Sequence, residues 1–163
     1  MAQAGVGVDM LEISRMERVM RRHPRFLQKV FSPEEIQFCE HTDRPARHFA
    51  ERMAARGAVL RALGATPADG ACILDVTVSS VSGERPRANL SGKAQQLAHQ
   101  RGVQEIALSL SFTGDVAVAN AVAMTQESRP RQERKPDPKA ELRATFRQAR
   151  SVLDELERRE DQK

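Results

Sequence analysis

The chain has neither tyrosine nor tryptophan, and only six phenylalanines among 163 residues. The stacking platforms on which single-strand nucleic-acid binders hold bases are therefore missing. Cysteine is scarcer still. Cys39 and Cys72 stand far apart with no CxxC pair, which argues against a zinc site or a disulfide framework. No apolar run approaches the length of a membrane span, and the N-terminus lacks the charged-then-apolar order of a signal peptide. A soluble, cytoplasmic protein with no membrane partner is expected. A dominant charge sign is also lacking, since 26 Lys and Arg face 22 Asp and Glu for a net +4. So mild an excess suits phosphorylated or acidic partners and does not by itself indicate nucleic acid.

What is present allows one domain with a real core. Residues 4–10 read as a short buried strand, and from Leu11 the apolar positions Ile13, Met16, Val19 and Met20 recur at helical spacing to about Arg22. Ser32-Pro33-Glu34-Glu35 has the form of a helix start, and that helix carries Ile36, Phe38 and Cys39 to about Thr42. Residues 46–63 form the strongest helix, striped by Phe49, Met53, Val59, Leu60 and Leu63 and ended by Gly64. Residues 73–81 read as a strand, 82–86 as a turn and 87–90 as the returning strand. A helix follows from Ser91 to about Gln100, then strands over 106–111 and 116–124. The order β-α-α-α-β-β-α-β-β predicts an α+β domain over 1–125 with a mainly antiparallel sheet.

Composition changes after Met124. Residues 126–163 hold 11 Lys and Arg against 9 Asp and Glu, with prolines at 130, 136 and 138. Residues 126–137 read as linker. Over 138–163 a charged helix is expected, with Leu142, Phe146, Ala149, Leu153 and Leu156 spaced as a short coiled-coil seam or as one solvated stripe. Bases and acids nearly cancel there, so nucleic acid binding through this tail would release few counterions.

The opening segment carries the first chemistry. Gly5-Val6-Gly7-Val8 runs into Asp9, and a carboxylate ending an apolar strand suits a hard cation such as Mg²⁺. The same residue also suits the cap of the helix that follows.

Taken together, five segments resemble the holo-acyl-carrier-protein synthase family, the small 4'-phosphopantetheinyl transferases. They are 5–13, 25–35, 49–64, Gly83-Glu84-Arg85-Pro86 with Leu90-Ser91-Gly92-Lys93-Ala94, and Ser109-Leu110-Ser111-Phe112-Thr113, in order from Gly5 to about Met124. The resemblance implies a transferase-like α+β fold with a long packed helix. It implies transfer of the phosphopantetheine arm of coenzyme A to a serine of acyl carrier protein, as in fatty acid synthesis. It also implies Mg²⁺, and a homotrimer with sites between adjacent subunits. On matching positions, Asp9 would be the metal ligand, Arg61 the catalytic cation, and Arg52, Arg56, Arg61 and Lys93 the coenzyme A phosphate ligands. Arg15, Arg18, Arg21, Arg22 and Arg25 would dock the acidic carrier protein, or form an ordinary solvated face.

The pattern also departs from the family. Where the family carries a glutamate, its second metal ligand and proposed base, the chain has Gly57. Arg56 and Arg61 replace lysines, and Phe112 replaces a histidine. Mg²⁺ tolerates water in place of protein ligands, so Asp9 with the substrate diphosphate is left to hold it weakly. Asp115 is a candidate for a rearranged site, or a turn residue beside Gly114. The readings are an active transferase, or an impaired member of the fold that binds carrier protein or a homologous subunit.

Overall fold

A computed structural model describes residues 4–80 and 84–128. The opening strand, β1 (Gly5–Glu12), ends two residues later than expected, and helix α1 (Ile13–Arg22) starts correspondingly later. Asp9 therefore sits within the strand and does not cap α1. That end is held by Asp115, whose carboxylate accepts from the Ser14 amide at 2.9 Å and the Ser14 hydroxyl at 2.5 Å. The cap is supplied from about a hundred residues away, which local reading of the sequence does not reveal.

A five-residue helix, α2 (Phe26–Val30), follows and was not expected, having no capping residue and little length to show a period. Helix α3 (Pro33–Glu40) starts as expected in a full capping box. The Ser32 hydroxyl accepts from the Glu35 amide, and the Glu35 carboxylate accepts from the Ser32 amide. Helix α4 (Pro45–Ala62) is the long central element. It ends as expected at Gly64, whose φ of +63° lets the Ala65 amide return to the Leu60 carbonyl at 2.9 Å.

The expected strand over 73–81 is only half strand. Residues Ile73–Asp75 form a 3₁₀ turn because the Asp75 carboxylate draws in the Cys72 amide, and β2 (Val76–Ser79) begins after it. Strand β3 (Arg87–Leu90), helix α5 (Gly92–Gln100), and strands β4 (Val103–Thr113) and β5 (Val116–Thr125) complete the order. Residues 126–128 form a turn. The tip at 81–83, the rest of the expected linker and the charged helix over 138–163 lie outside the described residues.

All five strands pair antiparallel in the order β1-β5-β4-β3-β2. The first and last strands lie side by side, from Gly5 opposite Ala123 to Glu12 opposite Val116. One face of the sheet packs on α4. Every buried residue of β5 is alanine, at 117, 119, 121 and 123, and α4 answers with Ala54, Ala58 and Ala62. Small residues on both sides let helix and sheet approach closely. The approach is tightest at β1. A Cβ on Gly7 would overlap the Ala58 carbonyl oxygen and stand 2.5 Å from the Ala62 nitrogen, and one on Gly5 would overlap the Ala62 carbonyl oxygen. A second cluster of Met16, Phe31, Cys39, Phe49 and Ala50 lies beneath α1–α3. On the opposite sheet face Val6, Val8 and Met10 are exposed, with no described element packed over them.

Candidate functional site

Inward-facing residues alternate along β1 as Gly5, Gly7 and Asp9, so the strand carries Asp9 onto α4 where its neighbours have no side chain at all. The carboxylate needs room there, and Gly57 provides it. A Cβ at position 57 would overlap Asp9 Oδ2 and stand 2.8 Å from its Cγ. One helical turn on, Arg61 closes the arrangement. Its Nη1 lies 2.6 Å from Asp9 Oδ1 and donates to the Val8 carbonyl at 3.0 Å. Asp9 Oδ1 also accepts from the Met10 amide at 3.0 Å. The Arg61 side chain is 57% exposed and that of Asp9 28%. The pair is a wet one, with the guanidinium outermost.

This pairing bears on Mg²⁺. The ion demands near-octahedral oxygen coordination, usually from one or two carboxylates plus substrate phosphates. Asp9 offers one oxygen already bonded to a cation and another wedged against the helix. Among the described residues no three His, Cys, Asp or Glu side chains come together to hold a metal. The residues present do not fit the ion expected at Asp9.

The remaining cations separate. Arg56, expected to bind coenzyme A, is wholly buried. Its Nη1 donates to the Val30 carbonyl at 2.7 Å and the Ile73 carbonyl at 3.0 Å, and its Nη2 pairs with Glu35 Oε2 at 2.5 Å. Glu35 Oε1 in turn accepts from the Val78 amide at 2.9 Å. Arg56 is a structural tie between α4, α3, the Ile73 turn and β2, with both terminal nitrogens engaged inside the protein. Burial pushes its pKa down against the pull of Glu35, yet an arginine stays charged.

Arg52 is also buried but ends differently. Its guanidinium lies over the Phe38 ring at 4.4 Å and donates to Ser80 Oγ at 3.3 Å, while Nε has no partner. It lines a cavity of about 280 Å³ together with Ser32, Thr77, Ser79 and Asn89, and a second of about 610 Å³. Glu34 and Glu35 line the smaller cavity too, where Arg52 is the one cation and the candidate anion ligand. Nine positions separate Arg52 from Arg61, which puts them on opposite sides of α4 at 100° per residue. Lys93 is exposed at the start of α5, donates to Gln96, and lines neither Arg52 cavity. Asp115, the candidate for a rearranged site, has its carboxylate on Ser14 at the start of α1.

Reading the sequence missed a group on the first turns of α4. Glu51 forms ion pairs with Arg47, whose Nε stands 3.4 Å away without a hydrogen bond, and with His48 Nδ1 at 3.1 Å, and His48, Glu51 and Arg52 share the larger cavity. Burial lowers the His48 pKa, with Glu51 acting against it. The i,i+3 and i,i+4 spacings were the available signal. Phe112, in the place of the family's histidine, lies under the Arg47 guanidinium at 3.8 Å. Cys39 carries no nucleophile, since burial pushes its thiol up to about 12. Arg15, Arg18, Arg21, Arg22 and Arg25 are all exposed, and none pairs with a carboxylate among the described residues.

Comparison with known proteins supplies the family. Residues 5–121 match a sequence model of the 4'-phosphopantetheinyl transferase superfamily. The holo-[acyl-carrier-protein] synthase of Moorella thermoacetica is 44% identical over 123 residues, 75% of this chain and 93% of that protein. That of Geotalea daltonii is 40% identical over 119 residues, 72% of this chain and 95% of its own. The Helicobacter pylori holo-[acyl-carrier-protein] synthase, solved in complex with coenzyme A, superposes with a TM-score of 0.61 at 25% identity, covering 72% of this chain and 98% of that one. The antiparallel sheet laid on one long helix, with the Gly-Val-Gly-Val-Asp strand against it, is thus the framework of a known group, and the chain belongs to the 4'-phosphopantetheinyl transferase superfamily, among the holo-[acyl-carrier-protein] synthases.

Proposed function

We propose that the chain transfers the 4'-phosphopantetheine of coenzyme A to a serine of an acyl carrier protein, supplying fatty acid synthesis. The observation that carries this reading is Arg61, an outward-facing guanidinium fixed by Asp9 and the Val8 carbonyl on the family's signature elements. In the reaction the serine oxygen forms a bond to the phosphorus that bears pantetheine. The bond from that phosphorus to the bridging oxygen breaks, and 3',5'-adenosine diphosphate leaves with the electron pair while the serine proton passes to solvent. Charge gathers on the diphosphate, where a pre-placed guanidinium stabilises it without reorganising. Arg61 acts as fixed charge, because a guanidinium does not donate its proton. Arg52 is the second phosphate ligand. Lys93 serves only a part of the ligand that extends to α5.

We read the assembly as a homotrimer with sites between neighbours. The exposed sheet face of Val6, Val8 and Met10, backed by Val118 and Val122 of β5, supports an interface between copies. The opposite placement of Arg52 and Arg61 on α4 supports a site that takes one arginine from each of two subunits. A cytoplasmic location fits two free cysteines. No described helix is long and apolar enough to cross a membrane.

The test is a mass measurement on the carrier. Purified chain, coenzyme A and an apo-carrier protein are expected to yield carrier heavier by one phosphopantetheine. A carrier that another transferase can load, yet that stays unshifted at high enzyme and long incubation, would leave carrier binding without transfer. Gly57 and Phe112 are the observations that favour that second reading.

The carrier surface makes its own prediction. Arg15, Arg18 and Arg22 fall within one 60° arc of α1, with Arg25 beyond its end. Arg18→Glu with Arg22→Glu is expected to slow association with an acidic carrier by about tenfold at low ionic strength, and by less as salt rises. Coenzyme A affinity should not move. Stopped-flow association with labelled carrier reads it, and an unchanged rate would remove α1 from the docking surface.

A further inference from the structure

We infer that Arg61 is the resident cation of this site, holding the coenzyme A diphosphate without a divalent metal. The inference rests on the coenzyme A reading above and specifies how the ligand is held. Three observations carry it.

The first is geometric exclusion. Asp9 Oδ2 fills the space beside Gly57 that any side chain there would occupy. A second carboxylate at position 57 and the present seat of Asp9 are mutually exclusive. The glycine is therefore part of an arrangement, since it gives the carboxylate its seat.

The second is charge. A divalent ion between one carboxylate and a diphosphate supplies positive charge and joins two anions. The Arg61 guanidinium already stands on Asp9 at 2.6 Å, and the Val8 carbonyl fixes it from a second direction at 3.0 Å. Both bonds leave from the same terminal nitrogen, and more than half of the side chain faces solvent. A guanidinium held in this way presents its remaining edge to phosphate oxygens in a fixed orientation, which a lysine ammonium on a flexible stem does not.

The third is the donor set. Glu12, the other acid on β1, stands an odd number of positions along the strand from Asp9 and so points to the opposite sheet face. Glu35 and Glu51 are engaged by Arg56 and by Arg47 with His48. Among the described residues no three His, Cys, Asp or Glu side chains gather around an ion.

The experiment uses the full chain and coenzyme A itself. Calorimetric binding is measured in excess EDTA and again with millimolar Mg²⁺, and Mn²⁺ binding to the protein is read separately by electron paramagnetic resonance. The affinity is expected to agree within about twofold between the two buffers, with no protein-bound Mn²⁺ signal, while Arg61→Gln weakens coenzyme A binding by about tenfold to a hundredfold in both. The comparison of buffers needs no variant, so it stands even if Arg61→Gln folds poorly. Binding that collapses in EDTA, or a Mn²⁺ signal abolished by Asp9→Asn, overturns the inference and leaves the coenzyme A reading intact. Absence of coenzyme A binding in both buffers overturns the two together.

Discussion

Arg56→Met is expected to lower unfolding stability by about 3–5 kcal/mol, because it leaves the Glu35 carboxylate buried without its cation. Glu35 has 3% of its surface exposed and Arg56 none. The substitution also strands the carbonyls of Val30 and Ile73, both of which accept from Arg56. Methionine replaces the unbranched stem and restores part of the packing, so most of what is lost is the guanidinium and its bonds. Arg56→Met with Glu35→Gln should recover part of the loss, since it removes the unpaired charge. Recovery stays incomplete because Glu35 also accepts from the amides of Val78 and Ser32. Urea unfolding followed by circular dichroism measures all three proteins. A midpoint for Arg56→Met close to that of the parent would show that water reaches the pair.

The second large effect belongs to a residue with no side chain. Gly7→Ala is expected to cost about 3 kcal/mol or more, beyond the usual range for overpacking, because the new methyl meets backbone that cannot rotate away. Its Cβ would stand 2.5 Å from the Ala62 nitrogen and 3.0 Å from the Ala58 carbonyl carbon. Relief requires β1 to lift from α4, and Asp9 lies two residues further along the same strand. Coenzyme A affinity should therefore fall together with stability, although residue 7 faces the helix and not the ligand. A variant as stable as its parent would mean that the strand has slack at this point. An affinity preserved in a destabilised variant would mean that Asp9 is positioned by α4 and not by β1.

Much of the fold was legible in the sequence, for particular reasons. The alanine-rich stripe of α4, the Ser32 capping box and the Gly64 stop are local signals, and each element stands where its signal lies. The chain of five motifs likewise fixed the family. What was not legible depends on distance in the chain. Arg56 reads as a free cation because its partner, Glu35, lies 21 residues earlier on another helix. Asp115 reads as a turn residue or a site residue, while its carboxylate closes the first turn of α1. Gly57 reads as a loss of function in the helix. Only the register of β1 against α4 shows that it makes a seat for Asp9. In each case the residue type was visible and its partner was not.

The adjacency of β1 and β5 has a consequence for how the molecule comes into being. A chain made from its N-terminus has Gly5–Glu12 available at the start, but the strand that pairs with it is the last of the five to be synthesised. Contacts that span so much sequence close slowly, since the loop entropy must be overcome before pairing rewards it. The helices can form while synthesis continues. The seat of Asp9 beside Arg61 requires β1 in its final register, and so it is completed only after residue 125 has left the ribosome. The corner where Arg61 meets Asp9 is then among the last parts of the molecule to exist, and a nascent chain displays the cation before the carboxylate that fixes it is in place.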